Sequence, residues 1–150
     1  MKKFELILGG TFFLARIFAL CNVPVHGFLT LVSAVLLQLT YFFLSFYLLN
    51  GKSWCDIFRK ETYRNAGVYP SIMSILTGMF LSGFVSGTLY AVMGWTTTIV
   101  VFYVHVATLV FVSLALVFGL FNEKQNMFSK QNLIRIGVIL FIGITSVILS

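Results

Sequence analysis

Acidic side chains are nearly missing from this chain: it has four, Glu5, Asp56, Glu61 and Glu123, against ten lysines and arginines. All four fall at or beyond the ends of long apolar runs. A carboxylate proton relay, a paired-carboxylate enzyme or a cation path lined by buried acids therefore has no residues to run on. The two cysteines, Cys21 and Cys55, offer no disulfide framework. Cys21 with His26 is at most half a metal site, because a closed site needs about four ligands. GxSxG, HExxH and CxxC are all absent, so neither a metal, a cofactor nor an enzymatic activity is expected.

What fills the chain instead is hydrocarbon. With 59% hydrophobic and 9% charged residues, the composition is far from that of a soluble domain, about a quarter of which is charged. Five apolar runs approach the roughly 20 helical residues that a bilayer core requires. They cover about 4–21, 28–49, 71–93, 96–121 and 133–149. None alternates as a lipid-facing strand would. The expected fold is an all-α polytopic membrane bundle of five transmembrane helices in one domain over residues 1–150. It comprises two tight helical hairpins plus a C-terminal helix, and four spans if the short first or last run fails. In the first hairpin Pro24 stops the helix and Gly27 is the residue expected to supply an unusual backbone angle; Gly94 and the Thr96 to Thr98 run serve the second.

The net charge of +6 matters less than where it lies. Lys2 and Lys3 precede the first run, Lys52, Arg59, Lys60 and Arg64 lie between the second and third, and Lys124, Lys130 and Arg135 surround the last connection. The alternate connections carry no base. The positive-inside rule then predicts a cytoplasmic N-terminus and an external C-terminus in a bacterial inner membrane. No basic stripe interleaved with aromatics suggests nucleic acid. Lys2-Lys3 before an apolar run also has the look of a signal peptide, with Ala19-Leu20-Cys21 as a cleavage site. Arg16 would interrupt its apolar region, so a retained helix is expected.

Between the second and third runs, Ser53 and Asp56 have capping-box spacing. They predict an amphipathic helix over about 53–64 on the membrane surface. Trp54 and Phe58 would lie at headgroup depth, with Arg59, Lys60 and Arg64 near anionic lipid. A docking surface for a cytoplasmic partner would use the same residues. In the third run, Ser74, Gly78, Ser82 and Ser86 recur every four residues, and Gly83 and Gly87 form a GxxxG on the neighbouring strip. Such faces let another backbone approach closely. The expected neighbour is the fourth run, or alternatively a second copy of the chain.

Arg16 is the one base deep inside a run, since Arg135 stands only two residues from the start of the fifth. Placing an arginine near a bilayer centre costs about 2.5–3.5 kcal/mol on insertion scales. It can snorkel to the nearer interface or meet an interior polar partner, and the lean of helical side chains toward the N-terminus favours the second. Gln38 and His105, each eleven residues and roughly 16 Å from its turn, lie at a depth its tip can reach. Thr40, Tyr41, Tyr103 and Thr108 are further partners.

The run FFLARIFALCNVPVHGFLTLVSAVLLQLTYFFLSFYLLNG, Phe12 to Gly51, resembles the membrane hairpin of the gliding-motility and type 9 secretion motor subunit L of Bacteroidota. That hairpin also has a basic residue late in its first helix, a His/Pro/Gly turn and a polar residue midway down its second. The resemblance places Arg16 at the family's intramembrane lysine and Gln38 near its glutamate. It implies a helical hairpin of bacterial origin but no motor activity, since the ionisable acid is missing. It covers about a quarter of the chain, and the remaining spans and the absent cytoplasmic tail depart from it.

The expected function is that of a non-enzymatic subunit or scaffold of a membrane assembly, as a homo-oligomer or with a heteromeric partner, in contact with anionic lipid. The alternative is a small transporter or a lipid- or anion-binding protein with a midplane polar site at Arg16, Gln38 and His105.

Overall fold

The computed structural model describes residues 2–58, 68–95, 98–120 and 130–148. Among these are five α-helices and no strand: α1 Lys2–Leu20, α2 His26–Leu49, α3 Val68–Val92, α4 Thr98–Leu120 and α5 Lys130–Ile148. Two of them, α2 and α3 from Ser71 to Val92, are long and apolar enough to cross a membrane. The apolar stretches described in α4 and α5, Ile99–Leu114 and Asn132–Ile148, are shorter.

Three helices end in the same way. Asn22, Gly51 and Gly94 take positive φ of 56°, 68° and 67°. The residue after each returns its N–H to a carbonyl five positions back: Val23 to Phe18 at 3.0 Å, Lys52 to Tyr47 at 2.8 Å and Trp95 to Tyr90 at 2.9 Å. This Schellman closure satisfies carbonyls that a helix end leaves bare. In the first turn it corrects the expectation for Gly27, which sits inside α2; Asn22 adopts the left-handed conformation, which asparagine tolerates better than most residues.

The helices form a closed ring in which α1 packs on α2, α2 on α3, α3 on α5, and α5 back on α1. The fourth helix packs chiefly on the outside of α3. Leu8, Phe12, Leu37, Tyr41, Leu81, Val85, Ile136 and Ile139 meet at the centre of the ring. The distribution of polarity is the reverse of that in a soluble domain. Thr30, Ser33, Thr40, Ser45, Ser74, Thr77, Thr88 and Thr108 are buried, while Phe43, Ile99, Phe102, Tyr103 and Phe141 are exposed. Many of the buried hydroxyls donate to the carbonyl four residues earlier, as Thr40 does to Leu36 at 2.7 Å and Thr77 to Met73 at 2.7 Å. That local bond lets a helix bury a hydroxyl at little cost.

After α2 the chain forms a 3₁₀ helix, Trp54–Phe58. Ser53 and Asp56 realise the capping spacing: the Ser53 N–H and hydroxyl both donate to Asp56 Oδ2, at 2.8 and 2.9 Å. Of the surface helix expected over 53–64, the described part is a 3₁₀ helix as far as Phe58. Arg59, Lys60 and Arg64, and the side chains of Trp54 and Phe58, lie outside the described residues.

Candidate functional site

Helices α1 and α5 run parallel and are joined by polar contacts at two levels. At the end where both helices begin, Glu5 is 6% exposed. Its Oε2 accepts from Arg135 Nε at 2.8 Å and also from Nη2, and its Oε1 accepts from the Tyr41 hydroxyl of α2. Arg135 Nη1 donates to the Leu48 carbonyl and to Asn132 Oδ1, both at 3.2 Å, and Asn132 Nδ2 donates to the Leu49 carbonyl at 2.5 Å. The Leu48 and Leu49 carbonyls belong to the last turn of α2, where Leu48 receives only a long bond from the Gly51 N–H at 3.4 Å and the helix dipole favours a cation. One planar guanidinium therefore pairs with the α1 carboxylate and caps α2 from α5. A slip of α5 by one turn, 5.4 Å, would break its bonds to Glu5, Leu48 and Leu49 together.

Three turns farther along, Arg16 is 7% exposed and Ser146 2%. Arg16 Nη2 donates to the Ser146 carbonyl at 3.5 Å, a long bond. Its Nε and the Ser146 Oγ are buried with no hydrogen-bond partner. A buried donor left unpaired costs about 1–3 kcal/mol, and more when the group is charged. The pairing at this level is thus much poorer than around Glu5.

The expected cluster of Arg16, Gln38 and His105 does not form. Arg16 faces α5; Gln38 is half-buried on α2; His105 lies on α4, which packs on α3. The estimate of depth gave height along the bundle but not direction around each helix axis. The Arg16 guanidinium also reaches sideways to the last turn of α5 rather than down toward the midplane. His105 donates through Nδ1 to the Val101 carbonyl at 2.7 Å and meets the Thr88 hydroxyl through Nε2 at 3.1 Å. Its ring leans on Phe84 with centroids 4.2 Å apart. The other partners suggested for Arg16 are engaged elsewhere or turned away. Tyr41 bonds Glu5, Thr40 bonds Leu36, Thr108 bonds Val104, and Tyr103 is exposed.

The small residues of α3 meet two helices rather than one. Ser74 accepts from Asn50 Nδ2 at 2.8 Å, and a Cβ on Gly78 would collide with Ser45 and lie 2.5 Å from the Tyr41 carbonyl, so this strip faces α2. Ser82 is buried and Ser86 half-buried. Gly87 faces α4, where a Cβ would lie 3.3 Å from His105 and Val104; at Gly83 the same atom would meet nothing within 4 Å.

Glu5, Tyr41, Asn132, Arg135 and Ser146 were not foreseen as a joined set. A signal was present: Glu5 and Arg16, like Arg135 and Ser146, stand eleven residues apart, which is three turns and one helix face. Among the described residues no three metal-ligating side chains gather. Between the two levels lies a narrow apolar pocket of about 20 Å³, lined by Gly9 and Phe12 of α1, Phe84 and Thr88 of α3, and Ile139 and Gly143 of α5.

Comparison with protein-family models, curated proteins and solved structures returned no match to this chain.

Proposed function

We propose that this is a five-span protein of a bacterial inner membrane, N-terminus inside and C-terminus outside, serving as a non-enzymatic subunit or scaffold of a membrane assembly. The observation that carries this reading is the inverted polarity of the bundle: buried hydroxyls, an internal Glu5–Arg135 pair and an apolar exterior. Helices folding in lipid gain little from burying apolar side chains and associate through small residues and interhelical hydrogen bonds. Each of those devices is present between α1, α2, α3 and α5. The satellite position of α4 leaves a broad apolar face, including Ile99, Phe102 and Tyr103, for lipid or for another subunit. The motor-hairpin resemblance contributes only the idea of a bacterial helical hairpin, since Arg16 turns toward α5, a helix without counterpart in that family. The test is the mass of the tagged chain extracted in mild detergent at native expression. A complex of fixed stoichiometry is expected; a monomer at every concentration would overturn the scaffold reading.

A second reading, a lipid- or anion-binding role, is favoured by one specific observation. Arg16 Nε and Ser146 Oγ, on two residues joined by the 3.5 Å bond from Arg16 Nη2 to the Ser146 carbonyl, are both buried without partners. An acidic group supplied from outside the chain would satisfy both.

A further inference from the structure

We propose that the external end of the α1–α5 seam docks a transmembrane helix of a different subunit, one aspartate or glutamate of which pairs with Arg16. This rests on the subunit reading above and names the chemistry of the partner.

The two arginines of the seam differ in what meets the same edge of the guanidinium. In Arg135, Nε and Nη2 both donate to Glu5, the edge-on pairing that guanidinium and carboxylate favour. In Arg16, among the described residues, Nε has no partner and Nη2 has only the 3.5 Å bond to the Ser146 carbonyl. One edge of a buried cation is therefore left without an acid, and a guanidinium so loosely held gives up little on turning toward one. The turn required is short. Phe13 and Leu20, three residues before and four after Arg16, share its strip of α1 and are 41% and 56% exposed, so Arg16 stands at the rim of the ring rather than at its centre.

A second copy of residues 1–150 brings no acid to this level. Glu5 lies eleven residues, about 16 Å, toward the other end of α1 and is held by Arg135. Asp56 follows the far end of α2 and accepts from Ser53, and Glu61 and Glu123 belong by sequence to connections that the proposed topology puts on the Asp56 side. Copies inserted by one positive-inside rule stand parallel, so all four acids stay near the opposite leaflet. A lipid phosphate fits less well than a partner's carboxylate. Headgroup sites gather several bases, whereas no other lysine or arginine falls in or beside the connections at this end, and the apolar Leu20 stands one turn nearer the headgroups. One carboxylate on one helix matches one guanidinium in an apolar setting, where a charge is tolerated when it is paired.

The experiment measures energy transfer between the full chain in detergent micelles and synthetic leucine-rich helices of about 20 residues that carry Asp, Asn or Leu one turn from one end. The Asp helix should bind at least about tenfold more tightly than the other two. Arg16→Gln should level the three affinities without lowering the Tm of the chain alone, because it removes one long bond and one buried charge. Arg16→Asp should reverse the preference, so that a helix carrying Arg in place of Asp now binds best. A fall in Tm on Arg16→Gln with the Asp preference intact would make Arg16 a structural residue and overturn the inference. If dioleoylphosphatidylglycerol or inorganic phosphate binds through Arg16 as tightly as the Asp helix, the anion-binding reading stands and the helix inference falls. If the three helices bind alike while the native complex keeps its stoichiometry in Arg16→Gln, the inference falls and the subunit reading stands. If they bind alike and the native chain is a monomer, both fall.

Discussion

Arg16 reaches the carbonyl of Ser146 across 130 residues of chain, the same offset at which Glu5 holds Arg135. The first and last helices are therefore parallel and in one register over three turns. The two crossings differ in quality. Around Glu5, a carboxylate, a guanidinium, a phenol, an amide and two carbonyls satisfy one another; at Arg16, two buried polar atoms have no partner. In a low-dielectric interior that difference separates a structural lock from a place where something else can bind.

Arg135→Ala should destabilise the protein by roughly 3–5 kcal/mol, because Glu5 is left as a buried charge with only Tyr41 beside it. Replacing both partners, as Glu5→Gln with Arg135→Gln, should recover much of the loss, since no uncompensated charge remains. Reversible unfolding in mixed micelles, read as a double-mutant cycle, checks this. Additive effects of the two single changes would show that the pair carries no coupling.

Gly78→Ala should cost about 1–3 kcal/mol, whereas Gly83→Ala, five residues on, should be neutral or stabilising by about 0.5–1 kcal/mol. At Gly78 the new methyl meets Ser45 and the Tyr41 backbone, which cannot rotate away; at Gly83 it meets open space. Tm of the two variants decides the matter. Equal shifts would mean that α2 does not press on α3 where it is drawn.

The all-α fold was legible because long apolar runs without alternation have only one backbone solution in lipid. Arg16 was legible as the odd residue for the same reason: its cost is set by its position within a run. Its neighbours were not. Counting residues from a turn yields height, and Gln38 and His105 are near the right height, but only packing decides that α1 lies between α2 and α5. Arg135 was grouped with the bases around the last connection because it stands only two residues into the apolar run that begins at Leu133. The helix begins at Lys130, and that extra turn carries Asn132 and Arg135 onto the end of α2.

Thr88→Val should cost about 1–3 kcal/mol through α4 alone, because it leaves His105 Nε2 with no partner. Nδ1 carries its proton to the Val101 carbonyl, so Nε2 of the neutral ring is an acceptor, and the single Thr88 hydroxyl proton is shared between it at 3.1 Å and the Phe84 carbonyl at 2.9 Å. The loss should therefore be recovered in part by Thr88→Ser, which restores the hydroxyl. Thr88→Val should also add to Arg135→Ala without coupling, as the two sites share no partner. Unfolding of the three variants and the double variant checks both statements; strong coupling would mean that α4 is part of the α1–α5 lock.

Cys21 and Cys55 are both exposed free thiols, one in the turn after α1 and the other in the 3₁₀ helix after α2. They sit at opposite ends of α2, a helix of 24 residues, which at 1.5 Å per residue spans about 36 Å, enough to cross a bilayer core. The proposed topology follows from the bases clustered with Cys55 and absent around Cys21. A membrane-impermeant maleimide added to spheroplasts should label Cys21 in the Cys55→Ser variant, and should label Cys55 in the Cys21→Ser variant only after permeabilisation. The reverse pattern would invert the topology and place the Arg16–Ser146 level at the cytoplasmic leaflet. Equal labelling of both without permeabilisation would mean that α2 does not cross the membrane, and the five-span reading would fail with it.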